Sequence, residues 1–174
     1  MMQAMIFAAG LGTRLKPLTD STPKALVEVG GETLLQRTLE RLKACGVKSM
    51  VINVHHFAQA IVDYLQANNN FGVEIAVSDE SQHLLDTGGG LKKAAQLFSP
   101  TANILIHNVD IISNVDLQAF YAHQAQSDAL LLVSQRETKR YLLFNDDMRL
   151  VGWTNIETGE VRSPYPTLNP QTCK

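Results

Sequence analysis

Three features of this sequence could act together on a phosphate: the glycines Gly10 and Gly12, the cations Arg14 and Lys24, and the carboxylate of Asp110; a second glycine cluster, Gly88-Gly89-Gly90, stands ahead of a helix, where flexible packing against the sheet is the expectation. Glycine turns sharply and leaves its backbone N–H groups uncovered, so the amides of Ala8-Ala9-Gly10-Leu11-Gly12-Thr13 can face an anion. Arg14 offers a rigid fork of donors matched to phosphate oxygens, and Lys24 offers a mobile point charge. Pro17 and Pro23 stiffen the stretch between them. By spacing alone, a tight turn flanked by solvated cations fits equally well. Asp110 is suited to a magnesium ion, and an Asp after a strand is just as suited to capping a helix or turn. The dinucleotide fingerprint would need a third glycine at Leu15, and the Gly-Lys-Ser/Thr of the Walker loop is absent.

The elements that must position these groups follow from periodicity. Met5-Ile6-Phe7-Ala8 is long enough for a buried strand, and Gly10 ends it. Thr33-Leu34-Leu35-Gln36 reads as a capping box, and Leu35, Thr38, Leu39 and Leu42 repeat at helical spacing until Gly46. A strand at 50–54, a helix carrying Ala58, Ile61, Val62 and Leu65, and a strand at 73–77 come next. Leu91, Ala94, Ala95 and Phe98 then mark a helix, residues 104–106 a strand, and Leu117, Phe120 and Tyr121 a helix, with a last strand expected at 129–133. Such alternation predicts an α/β fold: a doubly wound, Rossmann-like, mainly parallel sheet with helices on both faces. Ligands of such sheets bind beyond the carboxyl ends of the strands, so the segments after Ala8, Val54 and Ile106 should share one rim.

After residue 140 the pattern changes. Residues 141–144 and 149–153 flank Asn145-Asp146-Asp147 as a hairpin, Thr158-Gly159 is a second turn, and the proline-rich stretch 163–170 reads as a tail or a cut edge. His55, His56 and His107 fall near strand ends, where loop packing is the expectation. Trp153 is expected in the core of the late hairpin.

A length of 174 residues predicts one domain, 1–174, able to bury a substantial core. A 45% hydrophobic and 18% charged composition is that of a globular chain, and 15 basic against 17 acidic residues give no field for nucleic acid or a membrane surface. Any phosphate site is therefore local. Cys45 and Cys173 lack partners at metal or disulfide spacing, no signal peptide or membrane span is visible, and a cytoplasmic location is expected. Monomer and homo-oligomer both stay open.

The run from Ala8 to Leu15, with Pro17-Leu18-Thr19 and Pro23-Lys24, resembles the signature of the sugar-1-phosphate nucleotidyltransferases, or nucleotide-sugar pyrophosphorylases. The similarity continues through Asp86-Thr87-Gly88-Gly89-Gly90 and Asn108-Val109-Asp110, and is nearest to the N-acetylmuramate-1-phosphate uridylyltransferases and mannose-1-phosphate guanylyltransferases. The resemblance implies a nucleotide-diphospho-sugar transferase fold, Mg²⁺ as cofactor, and a nucleoside triphosphate (UTP or GTP) and a sugar 1-phosphate as substrates. It implies that the amides of Gly10, Leu11, Gly12 and Thr13 cradle the triphosphate, that Arg14 binds the departing pyrophosphate, and that Lys24 neutralises the reacting phosphate. Asp110 would hold the metal; Gly88 and Gly89 would meet the base, with backbone contacts from Ala8 and Ala9, and Glu80 would read the base edge. Family members continue into further sheet, a sugar-binding region and a second metal-binding aspartate, so the resemblance also implies a domain lacking its C-terminal part. Where the family often has glycine, this chain has Val109. A phosphocholine-type cytidylyltransferase shares the opening loop, and a catalytically silent nucleotide-sensing domain would share the fold.

Overall fold

Alternation along the first strand creates two cores. In β1 (Met2–Phe7), Ala4 and Ile6 point to one side of the sheet and Met5 and Phe7 to the other, so the strand is apolar on both faces from Ala4 onward. The computed structural model describes residues 2–123 and 127–174, and these separate into two compact units, Met1–Gln124 and Ala125–Lys174.

In the first unit, β1 is followed by a small hairpin, β2 (Glu28–Val29) and β3 (Glu32–Thr33), turned by Gly30 and Gly31 at φ of 66° and 83°. Then come α1 (Leu34–Ala44), β4 (Val47–Val54), α2 (Ala58–Ala67), β5 (Glu74–Asp79), α3 (Asp86–Ala94), β6 (Ile104–Asn108) and α4 (Leu117–Ala122). The sheet order is β5-β4-β1-β6 and every pairing is parallel. Leu35, Leu39 and Leu42 of α1, Ile61 and Leu65 of α2, and Leu117 of α4 bury against the Ala4/Ile6 face. Leu91 and Ala94 of α3 pack with Met5 and Val51 on the other. The chain steps from β1 outward to β4 and β5, then returns to the opposite side of β1 for β6. The strand order thus reverses between β1 and β6, which is where α/β sheets open a crevice at their carboxyl ends.

The capping box forms in one direction only. Thr33 Oγ1 accepts from the Gln36 amide at 3.0 Å, but Gln36 Oε1 accepts instead from the Tyr64 hydroxyl, which itself accepts from Thr33. The side chain that would close the box joins α1 to α2.

The second unit is an antiparallel sheet of β7 (Arg140–Phe144), β8 (Leu150–Asn155) and β9 (Glu160–Arg162). Both expected hairpins are present, with Met148 and Gly159 at φ of 57° and 71°. Trp153 stands half-buried on β8 with the Arg162 guanidinium 5.2 Å above its ring. The proline-rich stretch is held by turns and ends with Lys174 exchanging two backbone hydrogen bonds with Phe144. The strand expected at 129–133 does not form: Leu130, Leu131, Leu132 and Val133 are 41–58% exposed, and no described strand pairs with them. An apolar run becomes a strand only when a neighbour completes its ladder. No helix among the described residues is long and apolar enough to cross a membrane.

Candidate active site

Beyond the carboxyl ends of β1, β4 and β6 lies a hollow of about 280 Å³ lined by Phe7, Ala9, Gly10, Arg14, Lys24, Asn53, Leu84, Asp86, Thr87, Asn108 and Asp110. All of these belong to the first unit. A larger cleft of about 480 Å³ in the second unit has walls from Val151, Tyr165, Leu168 and Cys173 and a single carboxylate, Asp146. The smaller hollow concentrates the reactive side chains.

β1 delivers the loop. Ala8 and Ala9 donate their amides to Asn53 Oδ1 at 2.8 and 3.4 Å, while those of Gly10, Leu11 and Gly12 meet no acceptor among the described residues. Gly12 is left-handed at φ 66°, its carbonyl accepts from Thr19 Oγ1 at 2.9 Å, and a Cβ there would lie 2.9 Å from Thr19 Cγ2 and 3.1 Å from Lys24 Cβ. Only glycine lets the loop fold back this closely on the Lys24 segment. A single helical turn, Thr13–Leu15, follows and carries Arg14. Arg14 makes no ion pair among the described residues.

Lys24 opens another short turn after Pro23, anchored by the fully buried Ala25. Its side chain is only 18% exposed and its Nζ lies 2.7 Å from Asp110 Oδ2. Burial pushes the Asp110 carboxyl up, but the Lys24 hydrogen bond, the Lys24 charge, a backbone hydrogen bond and the Arg14 charge outweigh it, so the group sits below the ordinary carboxylate value. Asp110 is therefore ionised and already engaged by a cation. Behind it, the Val109 amide extends the β6 ladder to the Phe7 carbonyl, and Thr38 of α1 donates to the Val109 carbonyl at 3.1 Å. The Val109 side chain is buried in the core, and its φ is not positive, so this path needs no glycine. Arg41 of α1 binds Ser113 Oγ and the Val115 carbonyl, holding the segment that follows.

Of the residues singled out from sequence, Ala9, Gly10, Arg14, Lys24 and Asp110 form the wall together. Ala8 lies buried just behind it, Leu11, Gly12 and Thr13 are outside it, and Gly88 and Gly89 sit in the first turns of α3 without lining it. Glu80 is fully buried, with one oxygen accepting from Asn53 and the other from the Leu85 amide, so it faces the interior and not the hollow. His55 bonds the Glu80 carbonyl and His56 packs on Phe57, as loop packing requires, whereas His107 lies buried within β6 and bonds the Asn108 carbonyl. Sequence reasoning passed over Asn53, Asp86, Thr87 and Asn108 as wall residues. The signal for Asn53 was present: it is the single polar residue in Met50-Val51-Ile52-Asn53-Val54. Asp86 and Asn108 open the two later runs that carry the resemblance, and Asp86 holds a left-handed φ of 54°, a costly backbone for a residue with a Cβ.

A magnesium ion carried by a triphosphate needs one or two carboxylates and fills its other positions with phosphate and water. The donor set fits that mode: Asp110 is ionised at the wall, and no group of three His, Cys, Asp or Glu side chains capable of enclosing an ion occurs among the described residues.

Residues 3–144 match the family described as nucleotidyl transferase. The chain is 45% identical over 111 residues to N-acetylmuramate alpha-1-phosphate uridylyltransferase of Caulobacter vibrioides, covering 63% of this chain and 46% of that protein. It is 31% identical over 145 residues to mannose-1-phosphate guanyltransferase of Gibberella zeae, covering 80% and 40%. Among solved structures, HddC from Yersinia pseudotuberculosis complexed with GMP-PN superposes with a TM-score of 0.62 at 29% identity, over 69% of this chain and 52% of that one. The chain spans about half the length of these proteins.

Proposed function

The chain belongs to the nucleotidyl transferase family, and on that premise we propose that it transfers a nucleoside monophosphate from UTP or GTP to a sugar 1-phosphate, giving a nucleotide sugar and pyrophosphate. The carrying observation is the convergence of Arg14, Lys24, Asp110 and the glycine loop on one hollow at the β1/β6 crevice. Relatives named as uridylyl- and guanylyltransferases support the reaction class, and a related structure complexed with GMP-PN supports the ligand class. The nearer of the two relatives above is a uridylyltransferase, which makes UTP the first triphosphate to test.

In this reading an oxygen of the sugar phosphate attacks the α-phosphorus in line, and the bond to the bridging oxygen of pyrophosphate breaks with its electrons leaving on pyrophosphate. The obstacle is the approach of anions, which placed cations and dipoles lower. The free amides of the loop and Arg14 hold the outer phosphates and accept the charge that leaves. Lys24, drawn to the incoming phosphates, releases Asp110. Asp110 would then hold Mg²⁺, which when bound neutralises phosphate oxygens. Nucleoside triphosphates are cytoplasmic metabolites, and we assign the chain to that compartment.

Thermal unfolding with Mg²⁺ and, separately, UTP, GTP, CTP, ATP and dTTP tests the reading. A ligand at about a hundred times its dissociation constant adds roughly 2.7 kcal/mol, a shift of several degrees. One triphosphate should raise the midpoint, and Arg14→Ala should abolish the rise. Equal midpoints with all five would overturn the assignment. Pyrophosphate release on adding N-acetylmuramate 1-phosphate or mannose 1-phosphate then tests the transfer.

A further inference from the structure

The end of β4 and the start of the loop after β5 hold a buried polar pair that the reaction above does not use. Asn53 is 2% exposed and Glu80 is 0% exposed. Their hydrogen bonds converge from both sides on the Glu80 carboxylate. The Ala8 and Ala9 amides donate to Asn53 Oδ1, Asn53 Nδ2 donates to Glu80 Oε1 at 2.8 Å, and the Leu85 amide donates to Glu80 Oε2 at 3.0 Å. The two backbone N–H groups fix which end of the Asn53 amide faces which neighbour. α3 closes over the pair: a Cβ at Gly90 would lie 2.7 Å from Glu80 Oε1 and 3.1 Å from Asn53 Nδ2. Glu80 makes no ion pair among the described residues, and an unpaired buried carboxylate is costly to keep. What it gains is a tie between the loop after β1 and the loop that opens α3, the two glycine segments of the fold.

We propose that Asn53 and Glu80 form a positioning pair that sets the spacing between the two glycine segments and so shapes the nucleotide pocket; this rests on reading the hollow as a nucleotide site. The pair acts through the backbone of Ala8, Ala9 and Leu85. A change at Glu80 is therefore felt at the Ala8 loop, and a change at Asn53 at Leu85.

Directionality supplies the test. Glu80→Gln must turn an N–H toward either Asn53 Nδ2 or the Leu85 amide, so one donor faces another. Asn53→Asp sets a carboxylate against the Glu80 carboxylate. The double variant Asn53→Asp/Glu80→Gln restores every pairing. Its carboxylate at position 53 would accept from the Ala8 amide and from the new side-chain amide at position 80, whose carbonyl would accept from Leu85. Amide hydrogen exchange on the full chain without ligand should speed by about tenfold at both Ala8 and Leu85 in each single variant, with Ile6 and Val51 unchanged, and return toward the parent rate in the double variant. The dissociation constant for Mg·UTP should rise by about tenfold in the single variants and recover in the double. Glu80→Gln altering Leu85 alone, exchange rising throughout β1 and β4, or a double variant no better than its parents would overturn the inference. Single variants that fail to fold beside a double that folds would support it. If the parent binds none of UTP, GTP, CTP, ATP or dTTP, the nucleotide reading fails, while exchange at Ala8 and Leu85 still decides whether the pair links the two loops.

Discussion

Replacing Gly90 by alanine asks how tightly α3 is seated over the sheet. The added methyl would lie 2.7 Å from Glu80 Oε1, 3.1 Å from Asn53 Nδ2 and 3.5 Å from Phe7 Cε1. The first of these is a contact that side chains do not make, and neither polar partner can yield freely because each is bonded on its far side. Overpacking of this kind costs about 1–3 kcal/mol, and loosening the Asn53–Glu80 bond adds about 1–3 kcal/mol more. Against that, alanine gains up to about 1 kcal/mol over glycine inside a helix. The net expectation is a loss of about 1–6 kcal/mol. Gly88 is the control, since its Cβ would meet nothing within 4 Å; Gly88→Ala should leave stability unchanged or slightly raised. Urea unfolding followed by far-ultraviolet circular dichroism measures both, because every α-helix of the described residues lies in the first unit, whereas the one tryptophan, Trp153, reports the second. Equal midpoints for the two variants would refute the packing argument.

Two further outcomes follow from the same geometry. Burial holds the His107 imidazole below its usual value, aided by Arg41 and opposed by the hydrogen bond to the Asn108 carbonyl and by Asp110. The unfolded chain therefore takes a proton near pH 6.5 that the fold refuses. Stability from this group is complete above that pH and declines below it, with a slope of at most about 1.4 kcal/mol per pH unit. Urea midpoints measured across this range should flatten in His107→Asn relative to the parent. Arg41→Met removes both bonds to the 113–115 segment at a cost of about 1–2 kcal/mol. It should quicken amide exchange in that segment and, by removing a neighbouring charge, raise the His107 titration midpoint observed by NMR.

The sheet and its helices were legible because each carries a strong period: an apolar face every three to four residues in α1 and α2, and doubly buried strands in β1 and β4. Arg14, Lys24 and Asp110 could be placed together from the rule that the strand ends share a rim. Glu80 could not be placed, because whether a carboxylate after a strand faces inward depends on donors supplied by Asn53 and Leu85, which no local pattern announces. The strand expected at 129–133 failed for a similar reason: pairing is a property of two segments, and a pattern within one of them does not reveal its neighbour. Gln36 shows the same limit at a helix start, where a partner on another helix displaced the local bond.

Leu130 to Val133 also govern how this chain behaves in a tube. They form a β-prone, uncharged, proline-free stretch that is exposed along its length, the composition from which ordered aggregates nucleate. Net charge of only −2 offers little colloidal repulsion to oppose it. Shelf life and usable concentration should therefore respond to this segment, and Leu132→Lys is the substitution with which to extend them.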